Sequence, residues 1–351
     1  MKKISNIALA AAVSVFAAAS CQKGTLVCQT TEPATLTIAI DNVVTKATST
    51  PTSAEMSIDA AKVYLFVFKA DGSLEIGQAV TMSGGSKTTV NLTAGAKTVW
   101  VVANCPASIV TSATNLASFK TLVSELKDNV SNFVMAGSAS KTVSGNDNVN
   151  VTLKRLVAKV ALISIKREFA DSDYAACSLV VNRVYLSNVA GSCYYYSDDA
   201  VTSAISPASV PVWYNKMGSY NLGPSDPSSL LCVNIASSLP DGSIYSGTEP
   251  VMYTCPNACI GDNTGLTWNI ASYPRHTRLV VDCTLAGTQG YYSVTLPEIE
   301  SNHVYNISLV INKKPSDNPE DNTPEIVPVM PFSVNISVSD WDAPITVIEE
   351  L

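Results

Sequence analysis

The stretch AKVYLFVFKADGSL, residues 61–74, decides the fold class. From Val63 to Phe68 the run is unbroken, apolar and rich in β-branched and aromatic residues, and Asp71-Gly72 follows as a turn pair. A run this short, closed by such a turn, reads as a buried strand. Outward from it, residues 88–92 and 98–103 continue as strands. Residues 114–128 break the pattern. Leu116, Phe119, Leu122, Val123 and Leu126 fall on one face at helical spacing, with Thr114 or Asn115 available as cap, which predicts a helix. Residues 149–153 alternate as a strand again.

At residue 154 the pattern restarts. RLVAKVALISI, residues 155–165, is a further strand, and Val184-Tyr185-Leu186 stands where Val63-Tyr64-Leu65 stood before. Residues 197–262 are rich in Ser, Pro, Asn and Gly and read as long loops. Strands resume at 278–283, 291–296 and 303–311. Short strands at close spacing with turn residues between them predict an all-β chain, or mainly β. The internal echo divides it into two β-sandwich domains, 47–153 and 154–325, with a short helix in the first.

The two ends carry the chemistry. Lys2 and Lys3 precede an apolar run over residues 7–19, too short for a span of about 20 residues and typical of an export signal. It ends in Ala18-Ala19-Ser20-Cys21, small residues before a cysteine that resemble the bacterial lipobox. Residues 1–20 are therefore expected to be a signal peptide and Cys21 a lipidation site that holds a precursor on a membrane. In residues 34–41, Leu36, Ile38 and Ile40 alternate with Thr35, Thr37 and Ala39 as a strand. A Ser/Thr-rich loop follows with a single basic residue, Lys46, a ready target for a trypsin-like protease. At the other end an acidic, proline-rich loop, KPSDNPEDNTPE, leads into the tail, 326–351. There Phe332, Val334, Ile336 and Val338 alternate with polar residues, and a second run containing Ile345 and Val347 follows Pro344. A lone strand cannot satisfy its own backbone groups, so the tail must join a sheet, its own or another molecule's.

Composition excludes several function classes. An apolar fraction of 46% against 15% charged residues argues for real cores, and a net charge of −7 opposes a nucleic-acid partner. His276 and His303 lack spaced partners, and no nucleophile elbow, zinc-helix motif, phosphate loop or dinucleotide fingerprint occurs. No enzyme activity, cofactor or metal is expected. Nine cysteines include Cys21 and Cys28 near the leader, leaving seven beyond them. An odd number leaves at least one unpaired, and disulfides and buried thiols both stay open. Tyr194, Tyr195, Tyr196, Trp213 and Tyr214 would serve a glycan-binding surface lipoprotein if exposed; packing inside the second sandwich is the expectation.

Taken in order, the lipobox-like Cys21, the strand at 34–41, Lys46, and the blocks KVYLFVFKADG, LKRLVAKVALIS, SNHVYNISLVI and ISVSDW resemble FimA-type fimbrillins, the subunits of type V pili. The resemblance runs nearly end to end, with residues 197–262 unmatched. It implies two transthyretin-like β-sandwich domains and a C-terminal donor strand. It implies a lipoprotein precursor anchored at the outer membrane and cut by an Arg/Lys-specific protease after Lys46, so that Ala47 becomes the first residue. The pro-segment, 21–46, would leave with its strand (Leu36, Ile38, Ile40). The tail of another copy, drawn from Phe332, Val334, Ile336, Val338, Ile345 and Val347, would fill the vacated groove. Implied partners are further copies head-to-tail and accessory pilus subunits, at a surface fimbrium supporting adhesion and biofilm formation. A tip or accessory position in the same pilus remains the alternative.

The physical pattern is compatible with that scheme. The pro-strand and the tail have the same alternation, and an emptied groove exposes a sheet edge that strand addition repairs. Giver and taker use different surfaces, so the contact does not close and generates filaments. Loss of residues 1–46 removes four lysines, Glu32 and Asp41, taking the net charge from −7 to −9.

Overall fold

The computed structural model describes residues 33–41, 55, 57–82, 87–196, 212–216, 219–223, 226–257 and 276–319, and the backbone of 333–340. The first half builds β1 (Pro33–Asp41), β2 (Val63–Lys69), β3 (Leu74–Ala79), β4 (Lys87–Thr93), β5 (Gly95–Ala103), β6 (Val123–Glu125), β7 (Met135–Val143), β8 (Asn146–Thr152) and β9 (Lys154–Arg155). A five-stranded sheet, ordered β3-β2-β5-β7-β9, faces a three-stranded sheet ordered β4-β1-β8. The second half builds β10 (Ala158–Arg167), β11 (Leu179–Ser187), β12 (Val189–Ala190), β13 (Ser192–Tyr194), β14 (Trp213–Tyr214), β15 (Cys232–Ser238), β16 (Val251–Thr254), β17 (Arg278–Leu285), β18 (Thr288–Thr295), β19 (His303–Ile311) and β20 (Ser333–Asp340). Its two main sheets are ordered β16-β10-β19-β20 and β15-β11-β17-β18. The chain is mainly β, as expected.

The halves repeat one topology. β1 runs antiparallel to β4 and parallel to β8. β10 likewise runs antiparallel to β16 and parallel to β19. The Val-Tyr-Leu echo falls on equivalent strands, since β2 lies between β3 and β5 as β11 lies between β15 and β17. β2 lacks alternation because both its faces are covered. Val63, Leu65 and Val67 point into a small core with β1, whereas Tyr64, Phe66 and Phe68 join a large core that extends to Ile311. That large core runs from the first half into the second: β6 pairs with β13, and the Trp100 and Tyr196 rings lie 4.9 Å apart.

Two expectations need correction. Residues 114–128 are not one helix. Leu116–Phe119 is a single turn, Val123–Glu125 is β6, and Leu126–Asn129 is a 3-10 turn. Asn115 does cap the first turn, accepting from the Ser118 amide at 2.8 Å. The apolar positions reach the core all the same: Phe119 and Leu126 are fully buried, and Leu116, Leu122 and Val123 pack against it. The helix stops because β13, some seventy residues on, recruits residues 123–125 as a strand. In the Ser-rich middle, the described residues hold β14, β15 and β16 rather than loops alone. β15 is an edge strand with a half-exposed surface and β16 has four residues, so neither carries a strong periodic signal.

Candidate strand-acceptor site

β1 is the central strand of its sheet, and this position organises the site. Its alternation places Ala34, Leu36, Ile38 and Ile40 inward, at 0–6% exposure, on Val63, Leu65, Val67, Val99 and Val101 of the facing sheet. Leu36, Ile38 and Ile40 were the expected residues. Ala34 is a fourth, missed because a small residue adds little to an apolar pattern. Burying the three large side chains contributes roughly 5–9 kcal/mol gross. In register, Leu36 lies opposite Val90 of β4, and Ile38 opposite Thr88 of β4 and Val149 of β8. Withdrawal of β1 would leave β4 and β8 facing each other across one empty strand width, with two rows of backbone groups unpaired.

Each wall of this slot has its own tether. At the end of β4, the Thr93 amide and hydroxyl donate to Glu75 Oε1 of β3 at 2.6 and 2.7 Å, and Lys97 of β5 donates to the same carboxylate and to Thr93 Oγ1. Burial pushes the Glu75 carboxyl up, but the hydrogen bonds from Lys97 and Thr93 outweigh it, so its pKa lies below the ordinary value. On the other side, the Asp147 carboxylate accepts from the Ser144 amide at 2.9 Å and pairs with Lys141 of β7 at 3.3 Å. Gly137 of β7 is required there: a Cβ would meet the Thr152 carbonyl oxygen at 2.1 Å. Both walls are thus fixed to the five-stranded sheet by contacts that do not involve β1.

The slot core is separate from the rest. The small cluster is built mainly from β1, β2, β4, β5, β7 and β8, with Val80 and Leu153 beside them, and the large cluster contains no residue of β1, β4 or β8.

At the other end of the chain, β20 pairs antiparallel with the edge of β19, from His303 opposite Asp340 to Val310 opposite Ser333. The backbone of Val334, Ile336 and Val338 lies in this strand, folded back on the second half of its own chain. Cys21, Lys46, Ala47, Phe332, Ile345 and Val347 lie outside the described residues.

The remaining sequence candidates resolve as packing. Tyr195 is buried, and Tyr194, Tyr196, Trp213 and Tyr214 pack against the large core rather than forming an open platform. The six cysteines among the described residues are free thiols, and burial pushes those of Cys105 and Cys283 up to about 12, which keeps them protonated. Burial lowers the pKa of His276, and His303 Nδ1 lies 2.8 Å from the Ser301 carbonyl. No group of three potential metal ligands occurs among the described residues.

Residues 34–167 match the family model described as major fimbrial subunit protein (FimA). The match opens on β1 and closes at the last residue of β10. A search of curated proteins finds no match. Among solved structures, a candidate cell adhesion protein of Parabacteroides distasonis is similar at TM-score 0.61 and 17% identity, covering 90% of this chain and 99% of that one. A fimbrilin (FimA) of Porphyromonas gingivalis is similar at TM-score 0.58 and 15% identity, covering 89% and 99%. The tip fimbrial protein of Porphyromonas gingivalis, truncated at its C-terminus, is similar at TM-score 0.50 and 15% identity, covering 88% and 100%. At these identities the likeness to solved structures is one of fold.

Proposed function

We propose, with the FimA-family match of residues 34–167 as premise, that this chain is a structural subunit of a cell-surface fimbria of the type V class. The subunit is exported as a precursor lipidated at Cys21, cut after Lys46, and polymerised by donor-strand exchange in support of adhesion. The observation that carries this reading is the central place of β1 in a sheet whose core is separate from the main one. A central strand is ordinarily the last to leave a sheet. Here its departure costs its two backbone ladders and the small cluster but leaves the large core intact, because the flanking walls are held independently. The incoming tail of a second copy restores both ladders and the apolar stripe. It has first to leave β19 of its own subunit, so donation competes with that home pairing.

A shaft position is favoured over a tip position by the presence of both features, the removable strand and the alternating tail. A tip subunit needs a groove but no donor. The test is electron microscopy of surface filaments with antibody against the chain, in wild type, in Lys46→Ala and in a chain lacking residues 331–351. Labelling along the shaft is expected in wild type only. Filaments from the tail-deleted chain would defeat the donor assignment. Labelling confined to filament ends would assign the tip instead.

A further inference from the structure

Nine residues beyond the proposed cut stands Glu55, and its side chain is completely buried against β10 and β16. Among the described residues, three elements hold it. Lys159 Nζ of β10 lies 3.0 Å from Glu55 Oε1, and the Tyr253 hydroxyl of β16 donates to the same oxygen at 2.6 Å. Arg155 Nε of β9 donates to the Glu55 carbonyl at 2.8 Å. Lys159, Arg155 and Tyr253 are themselves buried. A buried charge pair of this kind is costly to break from one side, because the remaining ion is left without its counter-charge.

The chain from Glu55 to β2 is then stitched down by Asn104. This residue takes a left-handed backbone, φ 63°, which turns its amide groups onto the passing segment. Asn104 Nδ2 donates to the Ser57 carbonyl at 2.8 Å, and Asn104 Oδ1 accepts from the Asp59 amide at 2.8 Å. The Asn104 amide in turn donates to the Lys62 carbonyl at 2.8 Å. Ile58 packs against the slot core.

Lys62 is the next basic residue after Lys46. Its side chain is 56% exposed and looks available to the same protease. The peptide bond after it is not: its carbonyl is bonded to Asn104, and the following residue, Val63, is fully buried in β2. A protease must draw several residues of extended chain into its site, so cleavage there requires local opening of residues 57–62.

We infer that Glu55 and Asn104 are positioning residues that set the end point of N-terminal processing, pinning Glu55 and residues 57–62 so that a cut after lysine removes β1 and stops. The inference rests on the reading of Lys46 as the processing site, and its test separates the two.

The purified full-length precursor is digested with trypsin, and products are followed by intact mass and N-terminal sequencing. Wild type is expected to accumulate a stable product beginning at Ala47. Glu55→Ala is expected to convert that product to one beginning at Val63. Adding Lys62→Gln to Glu55→Ala is expected to return the end point to Ala47, which a general loss of folding would not do. Asn104→Ala provides an independent release of the same segment, with the same expected shift to Val63. Absence of an Ala47 product in wild type would reject the Lys46 reading. An Ala47 product in Glu55→Ala as durable as in wild type would overturn the pinning role. So would fragmentation that persists in the Glu55→Ala, Lys62→Gln double variant, by showing global instead of local opening.

Discussion

Ile38 is fully buried between Thr88 of β4 and Val149 of β8, in a strand proposed to be discarded. Its contribution should therefore depend on processing. Ile38→Ala is expected to destabilise the precursor by about 2–5 kcal/mol through transfer and cavity terms. The processed protein, which has lost the residue, should melt as wild type does. Denaturant melts of both forms check this; an equal shift in both would mean that β1 stays seated after the cut. Glu75 makes a second prediction at this scale. Its folded pKa is lowered, so its clamp on Thr93 and Lys97 stabilises at neutral pH and fades as pH falls through that lowered value. Glu75→Gln should lower stability near neutrality and flatten the acid side of the profile, read by urea melts across the range.

Among the elements, β20 is the one whose partner is in question. In the structure it is zipped along β19, with Ser308 directly opposite Asn335. A cross-strand disulfide from Ser308→Cys and Asn335→Cys should lock the tail at home. The oxidised variant is expected to stay monomeric after cleavage, and reduction should restore filaments, as followed by light scattering. Filaments from the locked form would show that residues 333–340 are not what is donated. The elements also show why reading the sequence succeeded in some places and failed in others. β19 was legible to the residue because one buried face forces alternation from Tyr305 to Ile311. Residues 123–125 were not, since a strand of three residues exists only through its pairing with β13. β16 was missed for the same reason, being four residues held by β10.

At the scale of the molecule, the decisive feature is the division of the apolar interior into two clusters. The larger runs through both halves and would survive the loss of β1. The smaller serves the slot alone. The amino-acid sequence by itself determined the class of fold, the internal repeat and the alternation of Leu36, Ile38 and Ile40, because strand periodicity and turn chemistry are local and leave a direct record in residue order. It could not say that β1 is central rather than an edge strand, that the slot has its own core, that both slot walls are tethered, or that Glu55 is buried against Lys159. Those are decided by contacts between residues as far as two hundred positions apart, and only the tertiary structure brings such residues together.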